Sequence, residues 1–138
     1  MIDDLLYERH DKVPNGTCRR GYGLKFMKMT GTTRCAYCHQ DLKAGYDTWL
    51  TMALDHVVPR NVCRRLRVRA DWAEDFANRA LTCAACNSFD NRYSAPSELR
   101  TPNSWPEFVS LRDRVFVERQ QRIQKRHVEE QQFFDTLR

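Results

Sequence analysis

Cys35-Ala36-Tyr37-Cys38 and Cys83-Ala84-Ala85-Cys86 decide how this chain folds. A CxxC turn sets two thiols on one tight knuckle. Two knuckles supply four sulfurs, the set that closes a tetrahedral zinc site at about 2.3 Å per bond. An all-sulfur set leaves no position for water, so zinc held there is structural. Zinc-ribbon pairs commonly lie about 15–20 residues apart, whereas 44 residues, His39 to Thr82, separate these two. The insert houses something else. Cys18 and Cys63 stand alone and read as ordinary thiols.

Inside the insert, Thr48 to Leu54 mixes β-branched, aromatic and apolar residues and predicts a strand running into Asp55-His56, ended by Pro59. Residues 60–77 begin as an Arg-rich loop and give a short helix near Asp71–Ala77; Ala80-Leu81-Thr82 is a brief second strand. The second knuckle opens a helix from about Ala84 to Tyr93, stopped before Ala95-Pro96. Before the first knuckle, residues 1–34 read as an irregular basic arm with a short helix in Asp3–His10. After the second, Ser104-Trp105-Pro106-Glu107 has the form of a capping box, Ser as N-cap and Glu three residues on. It opens a long helix whose Phe108, Leu111, Val115, Phe116 and Ile123 pack back on the core, with its polar far end solvated or against a partner. The expected class is α+β, one domain in three parts: the arm 1–34, a central unit 35–95 and a helical extension 96–138.

Composition narrows the function. With 138 residues there is room for one core, and no run approaches the roughly 18–20 apolar residues of a membrane helix. The acidic start MIDDLLYERHDK is unlike a secretory leader, so a cytoplasmic location is expected. Lys and Arg number 23 against 18 Asp and Glu. Of those 23, 18 are Arg, whose planar fork of donors matches phosphate oxygens. The excess is local: six basic residues and no acid from Lys12 to Gln40, and five arginines and no acid from Arg60 to Arg69. Two such patches suit a polyanionic partner.

The segment Leu54-Asp55-His56-Val57-Val58-Pro59, with Asn78 and then Cys83-Ala84-Ala85-Cys86-Asn87, resembles the HNH endonuclease family over about residues 35–93. The resemblance implies a small ββα-metal core stapled by zinc through Cys35, Cys38, Cys83 and Cys86, and cleavage of DNA phosphodiester bonds. His56 is then the general base that takes the proton from water, its ordinary pKa of about 6.5 suiting that role. Asp55 and Asn87 hold a divalent cation, Mg²⁺ or Mn²⁺, with Asn91, one turn after Asn87, the alternative second ligand, and Asn78 braces the loop that orients the histidine. Arg60, Arg64, Arg65, Arg67, Arg69 and Arg92 are the expected phosphate contacts, which position a duplex without reading its sequence. One site per chain implies a nick, and the C-terminal helix is the expected surface for a homodimer. Each residue also has a plainer reading: Asp-His as surface or core polarity, Asn87 as a helix-start bond, Asn78 as a turn cap. His10, His39 and His127 read as surface residues. The competing function is a non-catalytic zinc module that binds nucleic acid or a protein through the same basic surface.

Overall fold

The computed structural model describes residues 10–138; the helix expected at Asp3–His10 falls almost wholly outside them. The architecture is mixed helix and sheet. A π-type turn, Cys18–Tyr22, leads into α1, Gly23–Thr30. There follow the first knuckle, α2 (Tyr46–Leu50), β1 (Ala53–His56), α3 (Arg60–Arg65), α4 (Ala70–Ala73), a 3₁₀ turn at Phe76–Asn78, β2 (Arg79–Thr82), α5 (Ala84–Phe89) and α6 (Trp105–Asp135).

β1 and β2 form a two-stranded antiparallel sheet, Ala53 opposite Thr82 and His56 opposite Arg79. The strand begins later than expected. Tyr46–Leu50 is a helical turn, because Thr48 folds its hydroxyl back onto Gly45 O at 2.9 Å and the chain is not paired until Ala53. β-propensity describes fit to a pleated neighbour, and this stretch has none. The expected loop after Pro59 is instead helix α3, since Val62, Cys63 and Leu66 are buried along one side while Arg64 and Arg65 face outward. The basic arm is also helical over Cys18–Thr30, with Phe26 and Met27 in the core. Gly23 allows this: a Cβ there would lie 2.5 Å from Met52 Cε and 2.6 Å from Cys18 O. Gly31, at φ 70°, ends α1 in the left-handed conformation that glycine adopts without strain.

α6 holds the molecule together. Ser104 Oγ accepts the Glu107 N–H, as the capping box requires. Phe108, Leu111 and Val115 then enter one apolar cluster with Val62, Leu66 and Trp72. Phe116 and Ile123 enter a second, with Tyr37, Leu54, Leu81 and the knuckle cysteines. A buried aromatic or branched side chain contributes about 1.5–3 kcal/mol relative to its exposed state, so one helix joins both clusters with several such anchors. Beyond Ile123 its surface is largely exposed. Among the described residues no helix is long and apolar enough to cross a membrane.

Candidate metal centre and candidate active site

The first knuckle is a tight turn: Cys35 N–H reaches Gln40 O at 2.9 Å, and His39 N–H, from a left-handed residue, returns to Cys35 O. Ala36 N–H then pairs with Leu81 O on the outer edge of β2 at 2.8 Å. That bond lays the first knuckle beside the second, which leaves the end of β2 directly. Cys83 is the N-cap of α5, its Sγ accepting the Cys86 N–H. The four Sγ atoms of Cys35, Cys38, Cys83 and Cys86 consequently lie within 4.8 Å of one another.

The donor set suits a metal ion. Thiolates about 2.3 Å from a tetrahedral centre are about 3.8 Å apart, and Cys38 and Cys83 are separated by 3.7 Å. Without a cation the cluster opposes its own ionisation. Thiol hydrogen bonds from Cys83 and Cys86 favour the Cys35 thiolate, while Cys86, one of the two donors, is pushed up. Burial, with the charge of Cys35, lifts Cys38 to about 11. A central cation is the charge that lets all four ionise. His127, expected at the surface, belongs here. Rather than a free surface residue it is half-buried, Nε2 3.0 Å from Cys86 Sγ and its ring edge-on to Phe89. Cys18 and Cys63 stand apart, their thiols raised by burial, Cys63 to about 12.

Asp55 and His56 are the last two residues of β1, and a strand sends successive side chains to opposite faces. On one face, Asp55 Oδ2 accepts from Arg119 Nη2 at 2.9 Å. Arg119 on α6 is only 2% exposed. It also donates to His56 O and Val57 O at 2.7 and 2.9 Å, and to the buried Asp90, which holds Arg122 as well. No hydrogen bond among the described residues reaches Asp55 Oδ1 or the side chain of Asn87. Asn87 is half-buried on α5, a helix that packs against β1.

On the other face, His56 Nε2 lies 3.2 Å from Glu74 Oε2. Arg60 and Arg79 also bind Glu74, at 3.1 and 2.9 Å. Burial opposes charge on Glu74, but the bonds from Arg60 and His56 outweigh it and hold the carboxyl at about 2. An ionised carboxylate only accepts, so Nε2 carries the proton and Nδ1 keeps the lone pair. The His56 ring is lowered from its ordinary value, by burial first and by the Arg79 charge, against the pull of Glu74. It is therefore a neutral base at pH 7.

Asn78 is completely buried in the 3₁₀ turn. Its Oδ1 accepts Val58 N–H at 2.9 Å, its Nδ2 donates to Val58 O and Ala73 O, and its own carbonyl takes Val57 N–H. The asparagine thus clamps the turn that follows His56. Glu74 and Arg119 went unnoticed in the sequence. Nothing in its spacing marks Glu74; Arg119, by contrast, interrupts the apolar stripe Phe108, Leu111, Val115, Ile123, and a charge in such a stripe is a readable sign of a buried partner.

The expected phosphate contacts divide. Arg64, Arg67 and Arg92 are exposed. Arg60 is drawn into the Glu74 cluster, Arg65 donates to Ala95 O and Pro96 O, and Arg69 pairs with Asp71 over the face of Trp72. No protein-family model, no curated protein and no solved structure matches the chain.

Proposed function

We propose that this chain is a metal-dependent endonuclease of the HNH type, cleaving one strand of DNA per active site. The observation that carries the reading is the state of His56: a neutral imidazole at a strand end, its Nε2 proton committed to Glu74, its Nδ1 lone pair uncommitted among the described residues, its following turn clamped by Asn78. That is what a general base for water requires.

Asp55 Oδ1 and the Asn87 amide oxygen are hard donors of the kind Mg²⁺ or Mn²⁺ takes. When bound, such an ion supplies a Lewis acid for the scissile phosphate and its leaving oxygen. His56 Nδ1 accepts the proton of the attacking water. Glu74 holds the ring in the productive tautomer and stabilises the imidazolium that results. Arg60, exposed at the edge of the same cluster, is placed to meet a phosphate, and Arg64, Arg67 and Arg92 extend the positive surface. Because Arg119 already neutralises part of the Asp55 charge, cation binding without substrate is weak. The four cysteines hold zinc, and β2 carries that anchor directly to α5 and Asn87. A homodimer through the exposed end of α6 would convert nicks to double-strand breaks.

One observation favours a second reading, a non-catalytic zinc module that binds nucleic acid: the buried Arg119 guanidinium already pairs with Asp55 Oδ2 at 2.9 Å, which gives that carboxylate a structural partner. Incubating the zinc-loaded chain with double-stranded, single-stranded and branched DNA and with RNA, in Mg²⁺, Mn²⁺ or EDTA, separates the two. Metal-dependent cleavage of any DNA supports the nuclease. Binding without cleavage under every condition supports the module.

A further inference from the structure

Beyond Ile123, α6 runs free of the body of the protein at every residue but one. Residues 124–138 are exposed except His127, which is half-buried. It lies one turn past the fully buried Ile123. Its ring stands edge-on to Phe89, 4.8 Å between centroids, and its Nε2 is 3.0 Å from Cys86 Sγ. The last foothold of the long helix is thus the second knuckle and the helix α5 that follows it.

The four sulfurs are reached by different donors. Cys35 takes the backbone N–H groups of Cys38 and Cys83, Cys38 takes that of Gln40, and Cys83 takes that of Cys86 at 3.5 Å. Cys86 Sγ is met from outside the four cysteines by a side chain, His127, 41 residues further along the chain. Four thiolates around one divalent cation leave a net negative charge, which donated hydrogen bonds offset. A metal-bound thiolate has lost its proton and only accepts, so the ring supplies the hydrogen of this contact. His127 is a donor rather than a ligand, because it lies outside the group of four sulfurs that fall within 4.8 Å of one another.

We propose that His127 Nε2–H donates to the zinc-bound Cys86 thiolate, strengthening the hold on the metal and fixing the distal half of α6 to it. The inference rests on the reading of the four cysteines as a zinc site; it needs neither His56 nor a catalytic cation. Partners that hydrogen-bond to metal ligands commonly change metal affinity by about 10–100-fold.

Two measurements test it. Nitrogen NMR of the zinc-loaded parent finds the His127 ring proton on Nε2, and this needs no variant. Competition with a chromophoric chelator then compares zinc affinity among variants. His127→Phe, which keeps a ring against Phe89 but has no donor, binds zinc about tenfold or more weakly. His127→Gln, with an amide N–H, recovers most of that loss. Lys125→Ala, exposed on the same helix, stays within about twofold of the parent. A parent that takes up no metal overturns the zinc reading and this role with it. With zinc bound, the role alone is overturned by a ring proton on Nδ1, by a folded His127→Phe that holds zinc as tightly as the parent, or by a His127→Gln no better than His127→Phe.

Discussion

Replacing Asn78 by Ala removes the clamp on the turn after His56, and the structure sets the size of the effect. The substitution strands Val58 N–H and Ala73 O, two backbone groups in a buried position, and leaves Val58 O with the Cys63 thiol alone. Each unsatisfied buried group costs about 1–3 kcal/mol. Partial relaxation and entry of a water reduce the sum, leaving a loss of about 3–5 kcal/mol, a large share of a total stability of about 5–15 kcal/mol. Asn87→Ala is the matched control. Its side chain is half-buried and binds nothing among the described residues, so it changes stability by less than about 1 kcal/mol. Urea unfolding of the two zinc-loaded variants, followed by circular dichroism, measures both. A loss below about 1 kcal/mol for Asn78→Ala, or equal losses for the two asparagines, refutes the division between a bracing and a ligand-bearing residue.

Arg119→Met leaves Asp90 buried without its Arg119 partner and Asp55 uncompensated. It costs about 3–5 kcal/mol in the same unfolding assay, whereas an ordinary surface arginine costs little. The His56 ring titrates below the ordinary 6.5 by NMR, and Glu74→Gln lowers it further, because the carboxylate is what pulls the value up. The sign for stability follows. Above about pH 6.5 His56 is neutral folded and unfolded; below it the unfolded chain binds the proton first. His56 therefore contributes stability that is lost as pH falls from about 6.5 through the folded value, readable as a fall in urea midpoint across that window. Metal analysis finds one zinc per chain, and chelation or Cys83→Ser lowers the melting temperature and loosens α5 in hydrogen exchange.

Much of this arrangement is written in local chemistry. The knuckles, the second strand and the N-cap of α6 are each declared by a few neighbouring residues, since a CxxC turn, a short run such as Ala80-Leu81-Thr82 and a Ser-x-x-Glu box act over a few residues. The helix at Arg60–Arg65 is legible too, in the spacing of Val62, Cys63 and Leu66, beneath the charge of the surrounding arginines. Tyr46–Leu50 misled because strand preference is a property of neighbours the sequence does not name. The ring of partners around Asp55 and His56 lay furthest from view. Arg119 is 64 residues from Asp55 and Glu74 is 18 from His56, and only the return of α6 across the sheet and the turn before Asn78 bring them there. The clamp of Asn78 followed from a family resemblance, and its three hydrogen bonds now give it a physical basis.

The central claim, that His56 is the base of a phosphodiester hydrolase, is tested most directly by nicking of supercoiled plasmid in Mg²⁺ by the zinc-loaded parent and by His56→Ala. The account predicts conversion to open circles by the parent, abolished by EDTA under conditions that leave the zinc in place. It predicts a rate lower by at least about 10²-fold in a His56→Ala variant with unchanged zinc content and fold. Equal rates for parent and variant, or a parent that binds the plasmid without ever nicking it in either metal, would contradict it.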